Sequence, residues 1–305
     1  MNWDVAHRIA GIAANQAHRD LGVDRSEYVP VHAALRSAGL IGMAQPMPRL
    51  FGVYFDERTD GPAVLLNAAL DVITQRHTAA HELGHHRLHH RSTYDQDLDP
   101  AARWGDGSWP QEEKVAEAFA AWFLMPRPAV LAAAGRIAGG RPRSPEHAYL
   151  VARALGTSYA GTVRHLVRLS LLHGNQADQW LKITPAALKS SLVGGTAVPT
   201  GAHVHTVTTS THGQQARVDV GDLLVLQLPG ACFGPLPPGL EIRTSPATDG
   251  LWGDADTGYP IAVEVTDALD APCRLTVDVP GSGDPLHLTV ARESPRTGVD
   301  DIWPP

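Results

Sequence analysis

Cysteine is scarce: Cys232 and Cys273 are the only two among 305 residues. That excludes a disulfide framework and fits a reducing cytoplasm, the compartment expected for this chain. Long apolar runs are missing too. No stretch approaches the roughly eighteen residues that a spanning helix needs, so neither a span nor a membrane partner is expected. The opening residues MNWDVAHRIA carry an acid and no long apolar core, and so do not read as a secretion signal. Basic residues are outnumbered, 25 against 32, and the net charge of −7 argues against a protein that coats nucleic acid over its whole surface. Internal repeats and low-complexity tracts are absent. What remains, 43% hydrophobic and 19% charged residues, is an ordinary globular composition with chain enough for two or three domains.

Charge is unevenly spread along that chain. Seven arginines (127, 136, 141, 143, 153, 164 and 168) accompany a single acid, Glu146, between Arg127 and Arg168, whereas fourteen acids and five arginines follow Ala197. Such asymmetry predicts separate modules. The residue pattern predicts an α+β fold in three parts: an N-terminal domain over 1–135, a helix-turn-helix-like helical unit over 136–192, and an acidic, antiparallel β-rich domain, sandwich or small barrel, over 196–305. In the first part, Val5, Ile9, Ile12 and Ala13 at helical spacing predict an amphipathic helix over 2–20. A short helix opens at Pro30 and stops by Gly39. LFGVYF (50–55) and PAVLLN (62–67) read as strands, followed by a helix from Asp71 through His90. QEEKVAEAFAAWFLMP (111–126) is a further helix with Val115, Phe119, Trp122 and Phe123 as its apolar stripe. The long polar loop 92–110 between these helices is of the kind that borders a site. In the second part, SPEHAYLVARAL and YAGTVRHLVRLSLL are helices joined by GTS.

The chemistry sits in TAAHELGHHRLHH, residues 78–90. Residues four apart on a helix lie about 6 Å apart along the axis on nearly one face, so His81 and His85 can offer two imidazoles to one ion. Glu82 is one position on, placed to accept a proton from water at that ion without being a ligand. Neutral imidazoles and a free carboxylate are the set that zinc hydrolysis requires. A third ligand must come from elsewhere. The pattern H-E-x-x-H-x-x-G-x-x-H fails, because Leu88 and Arg91 stand where glycine and histidine would be needed. Glu113 on the next helix is the preferred third ligand, with Glu117 one turn on to receive the N–H of a ligating imidazole. Glu112 is the rival, but points about 100° away around the helix. His89 continues the stripe about 12 Å along the axis from His81, too far for the same ion, and reads as a helix-end residue. His86 and His90 are expected to face solvent, with a passing role near the metal as the alternative, and His77 to lie in the first turns.

QRHTAAHELGHHRLHH and EEKVAEAFAAWFLMP, preceded by AVLLN, together resemble the ImmA/IrrE family of zinc metallopeptidases. That family's second pattern, E-x-x-A-N-x-F-A-x-x-L-L-M-P, is matched by Glu113, Ala116, Phe119, Ala120, Phe123, Leu124, Met125 and Pro126. Glu117 departs from it, since the family usually has Asn or Asp there. The resemblance spans roughly 1–175 and does not extend past about 195. It implies a zincin-like (gluzincin) N-terminal domain, and a cytoplasmic enzyme that cleaves a helix-turn-helix repressor and so relieves repression in a stress or mobile-element response.

The mechanism expected has His81, His85 and Glu113 holding one Zn²⁺ with a position left open, and Glu82 as general base and then acid. The substrate is expected as an extended strand against 62–67, taken as an edge strand. Asn67 is either a helper there or a turn cap, and Tyr94 is a guess, from position, for an oxyanion donor. Two other readings compete. One is a non-proteolytic regulator that binds a repressor or DNA, suggested by the helix-turn-helix-like unit and its arginines. The other is a structural zinc site, disfavoured because no cysteine lies near the helix.

Overall fold

The computed structural model describes residues 1–58, 61–91, 93–94, 109–243, 261–293 and 298–299. Most of the loop 92–110 and the side chain of Tyr94 lie outside the described residues. The chain divides into two compact units, one of Met1–Ala132, Leu155–Gly161 and Pro295–Pro305, the other of Ala133–Ala154 and Thr162–Ser294. The fold is of mixed α+β class, with nine α-helices and three sheets among the described residues.

The second unit contains the second half of α5 (Arg127–Ala138), most of α6 (Pro145–Leu155) and α7 (Tyr159–Arg168), then α8 (Gly174–Trp180) and α9 (Pro185–Leu192). α6 and α7 fall on the two segments read from the sequence as helices joined by GTS. Eight strands follow: β5 (Val204–Val207), β6 (Gln215–Val218), β7 (Leu223–Leu226), β8 (Cys232–Phe233), β9 (Leu240–Ile242), β10 (Ala262–Val265), β11 (Cys273–Asp278) and β12 (Leu286–Arg292). They form two four-stranded sheets, β5-β7-β10-β9 and β6-β12-β11-β8. Val207, Leu224 and Val263 of one sheet and Val218, Leu275 and Val290 of the other share one buried core. The β-rich expectation holds, but the sheets are mixed rather than antiparallel: β5 pairs with β7 and β6 with β12 in parallel. The cause is topological. β6 belongs to the other sheet, so the chain returns to β7 by a crossover instead of a hairpin, and a crossover leaves the flanking strands parallel. Within this unit the Tyr149 hydroxyl accepts the Val204 N–H at 3.0 Å. The buried Lys189 ammonium donates to the carbonyls of Pro199, Thr200 and Ala202 at 3.0, 2.9 and 2.8 Å.

The first unit is built from α1 (Trp3–Asp20), α2 (Val31–Ser37), α3 (Val72–Arg87) and α4 (Gln111–Leu124) with a five-stranded sheet. Its strands β1 (Ile41–Gln45), β2 (Gly52–Phe55), β3 (Ala63–Asn67), β4 (Thr93–Tyr94) and β13 (Gly298–Val299) run in the order β13-β1-β3-β2-β4. This corrects the edge-strand expectation for 62–67. β3 is paired on both sides, with β1 in parallel and with β2 antiparallel, so its backbone groups are already used within the sheet. The Asn67 side chain accepts from the Met47 and Ala69 N–H groups, both at 3.0 Å, and donates to the Met47 and Leu50 carbonyls at 2.6 and 2.7 Å. It is a loop fastener, the blander of its two readings.

The apolar stripe of α1 also needs correction. Ala6, Ala10, Ala14 and Ala17 are buried, whereas Val5, Ile9 and Ile12 are 42%, 38% and 75% exposed. Size decides this. A row of alanines lets α1 lie close along α4, and Gly11 faces the Trp122 indole, whose nearest atom would lie 3.5 Å from an added Cβ. Branched side chains on that row would hold the helices apart.

The same logic governs α3 and α4. Asp71 caps α3 by accepting the Thr74 N–H at 3.0 Å. Thirteen residues later Gly84 faces α4, where an added Cβ would stand 3.2 Å from the Ala116 Cα and 3.1 Å from Phe119 Cδ1. Farther up α3, Arg76 is buried and donates to the Gly156 carbonyl at 3.1 Å and the Val29 carbonyl at 3.0 Å, and also bonds to the Tyr28 hydroxyl. Gly156 has φ +63, and a Cβ there would meet the Tyr28 ring at 2.7 Å and Arg76 Nε at 2.8 Å. No single helix among the described residues is long and apolar enough to cross a membrane; the bent pair α4–α5 passes by length and composition, and the residues of α4 are mostly buried in the unit's own core.

Gly84→Val should therefore force α3 away from the α4 backbone. Overpacking of this kind costs about 1–3 kcal/mol, to be read as a lowered urea midpoint for the first unit; an unchanged midpoint would contradict the contact.

Candidate metal centre

Two facing helices make the site. α3 presents His77, His81 and His85 at four-residue spacing, and α4 presents Glu113 and Glu117 at the same spacing. Because the helices meet at Gly84, the two ladders face each other. His81 Nε2 lies 3.1 Å from Glu113 Oε2 and 3.0 Å from His85 Nε2, and His85 Nε2 lies 3.5 Å from Glu113 Oε1. His81 and His85 are 1% and 0% exposed, and the Glu113 side chain is 22% exposed. Among the described residues, these three are the group of donors near enough to hold a metal ion, with one atom from each within 4.8 Å of the others.

The donor set fits zinc. Bonds of about 2.0–2.1 Å in a tetrahedral arrangement place donor atoms about 3.3 Å apart, close to the separations found here. Protonation suits it as well. Burial pulls the His85 pKa below its ordinary value, favouring the neutral ring that binds a cation. For Glu113, burial alone would raise the pKa. Its hydrogen bonds to His81 and His85, and their charge, outweigh burial and hold the carboxylate well below its usual range. Glu113 also sits in the first turn of α4, where the helix dipole favours an anion. The rival Glu112 is exposed on another face.

Glu82 is 1% exposed and packed under β2. A Cβ on Gly52 would come within 2.8 Å of Glu82 Oε1 and 2.5 Å of Thr78 Cγ2. The missing side chain at Gly52 thus gives the carboxylate its room. Glu117 lies where the sequence places it, with Oε2 3.4 Å from His81 Nδ1, and both its oxygens are also 2.9 Å from His77 Nε2. That His77–Glu117 pair was not anticipated. Its signal was present in the four-residue spacing of His77 to His81, the mirror of Glu113 to Glu117.

Two expectations about the remaining histidines change. His86 is half-buried, with Nδ1 3.1 Å from the Tyr54 hydroxyl. His90 is also half-buried, and its Nδ1 lies 3.0 Å from Nδ1 of His85, with burial pushing its pKa down to about 4. His86 lies within α3 and is covered by Tyr54 of β2, whereas for His90 the difference lies at the helix end. The helix ends at Arg87, and the chain turns back. His89 does stand exposed at that end.

Removing one donor should separate the assignments. His81→Ala and Glu113→Ala are each expected to lose stoichiometric zinc, measured by elemental analysis after dialysis, while Glu112→Ala keeps it; zinc retained by Glu113→Ala would remove that ligand.

Comparison with known proteins agrees with this geometry. No curated protein matches the chain. Residues 49–158 match the model of a peptidase family described as the IrrE N-terminal-like domain. The matched span is narrower than the 1–175 suggested by the motifs, but contains every donor of the centre together with Gly52, Glu82 and Glu117. Residues 49–158 of this chain are thus similar to the IrrE N-terminal-like domain of that peptidase family.

Proposed function

We propose that this chain is a zinc-dependent endopeptidase, and that it cleaves a helix-turn-helix transcriptional repressor in a stress or mobile-element response. The observation that carries the catalytic half is the convergence of His81 Nε2, His85 Nε2 and a Glu113 carboxylate oxygen beside a buried Glu82. The repressor half rests on the resemblance to the ImmA/IrrE family.

His81, His85 and Glu113 would hold the ion. Bound there, zinc supplies Lewis acidity, which makes a water more acidic and polarises a peptide carbonyl. The remaining work belongs to the protein. Glu82 takes the proton of the attacking water on its carboxylate and delivers it to the leaving amine. β2, lacking a side chain at Gly52, covers Glu82 closely and limits the positions its oxygens can take. Glu117, with Oε2 3.4 Å from His81 Nδ1, is placed to take the Nδ1 proton of His81 and leave Nε2 as the donor atom. His77 in turn holds Glu117.

The non-proteolytic alternative has one observation in its favour: Arg164 and Arg168 of α7 are exposed. Against it, Val163 and Leu166 of the same helix are buried, which suits packing better than reading a groove.

Glu82→Gln tests the proposal. Zinc content should stay at the wild-type level, while cleavage of a helix-turn-helix repressor encoded beside this protein, followed by gel and mass spectrometry, falls about 10²–10⁴-fold. An unchanged rate removes Glu82 from catalysis. No cleavage by the zinc-loaded wild type turns the assignment toward the regulator, which a salt-dependent mobility shift with DNA would then support.

A further inference from the structure

The end of α3 does more than stop a helix. Leu88 is the C-cap and donates to the Gly84 carbonyl at 3.0 Å. The His89 N–H bonds the His86 carbonyl at 3.2 Å, and the His90 N–H bonds the His85 carbonyl at 3.0 Å. This pair of bonds, with the residue between cap and return in the left-handed region, is the Schellman motif. His89 takes the left-handed place at φ 56, where glycine is usual. The reversal lays the His90 ring edge-on against His85, with centroids 5.0 Å apart, planes at 68° and Nδ1 facing Nδ1 at 3.0 Å.

A neutral imidazole carries one N–H. If His85 gives Nε2 to a metal, its proton must sit on Nδ1, and a proton on a fully buried ring needs an acceptor. The atom opposite is His90 Nδ1. We infer that His90 is the positioning residue of the second histidine: its neutral ring, protonated on Nε2, accepts the Nδ1 proton of His85 and keeps His85 Nε2 turned toward His81 and Glu113. This rests on the reading of those three residues as metal donors. The two histidines are then backed differently, His81 by the Glu117 carboxylate and His85 by an uncharged ring. A neutral acceptor fixes the tautomer without adding another negative charge to a centre that already holds Glu82, Glu113 and Glu117.

The test uses the full chain and zinc chloride. Zinc affinity is measured by competition with a chromophoric chelator for wild type, His90→Ala, His90→Asn and His90→Gln, and the ring N–H protons are followed by NMR on zinc-loaded protein labelled with ¹⁵N-histidine. The backbone bond of residue 90 survives in every variant. His90→Ala should weaken zinc about 10–100-fold and lose the slowly exchanging Nδ1 proton of His85. Asn, whose side-chain oxygen reaches the place of Nδ1, should restore most of the affinity, and Gln, one bond longer, should not. If the alanine variant does not fold, the Asn–Gln pair decides alone. Equal affinities across the series, or Asn no better than Gln, overturn the inference. A wild type that binds no zinc overturns the metal reading and this inference with it. A wild type that binds zinc but cleaves nothing overturns the peptidase reading alone.

Discussion

One close approach organises the first unit: α3 and α4 meet where Gly84 has no side chain. An added Cβ there would press on the α4 backbone itself, at the Ala116 Cα, which cannot turn aside as a flexible side chain could. With the helices this near, a histidine ladder with a four-residue step faces a glutamate ladder with the same step. Everything polar at the centre follows from that register. His81 and His85 reach Glu113, and Glu117 reaches His81 and His77. The alanine row of α1 applies the same device to the other side of α4, so three helices pack through small residues and the large rings of Phe119 and Phe123 fill what remains.

Burial then sets the chemistry. Four ionisable side chains, His81, His85, Glu82 and Glu117, are each at most 4% exposed. Such groups are tolerated only where partners offset the loss of water. Here His81 and His85 face each other and Glu113, and Glu117 faces His81 and His77; burial biases His85 to neutral, and the hydrogen bonds to the histidines hold Glu113 ionised. A cluster of two imidazoles and a carboxylate in that state attracts a cation, and the proposed zinc completes it.

Much of this was legible in the residues. The spacing in His81-Glu82-x-x-His85 and the placement of Glu113 and Glu117 rest on helix periodicity, which local sequence specifies well. What escaped has physical causes. The buried face of α1 is set by size and not by hydrophobicity: Val5, Ile9 and Ile12 are the more apolar residues, yet only alanines fit between close helices. β1 and its pairing with β3 depend on contacts distant in sequence, so β3 was mistaken for an edge. The parallel pairs of the second unit arise from a strand changing sheets, which no local pattern marks. His90 was lost because His89, a non-glycine, occupies the left-handed place at which a helix end is usually read from glycine. Gly52 and Gly84 act through what they lack, and only the neighbouring elements reveal that.

X-ray absorption at the zinc edge of the loaded, full-length protein probes the centre most directly. Two imidazole shells at about 2.0–2.1 Å with the remaining ligands oxygen, at one zinc per chain, is the spectrum this arrangement of α3 and α4 requires. A sulfur ligand, a third imidazole, or an all-oxygen shell would mean that zinc binds elsewhere or otherwise than at His81, His85 and Glu113.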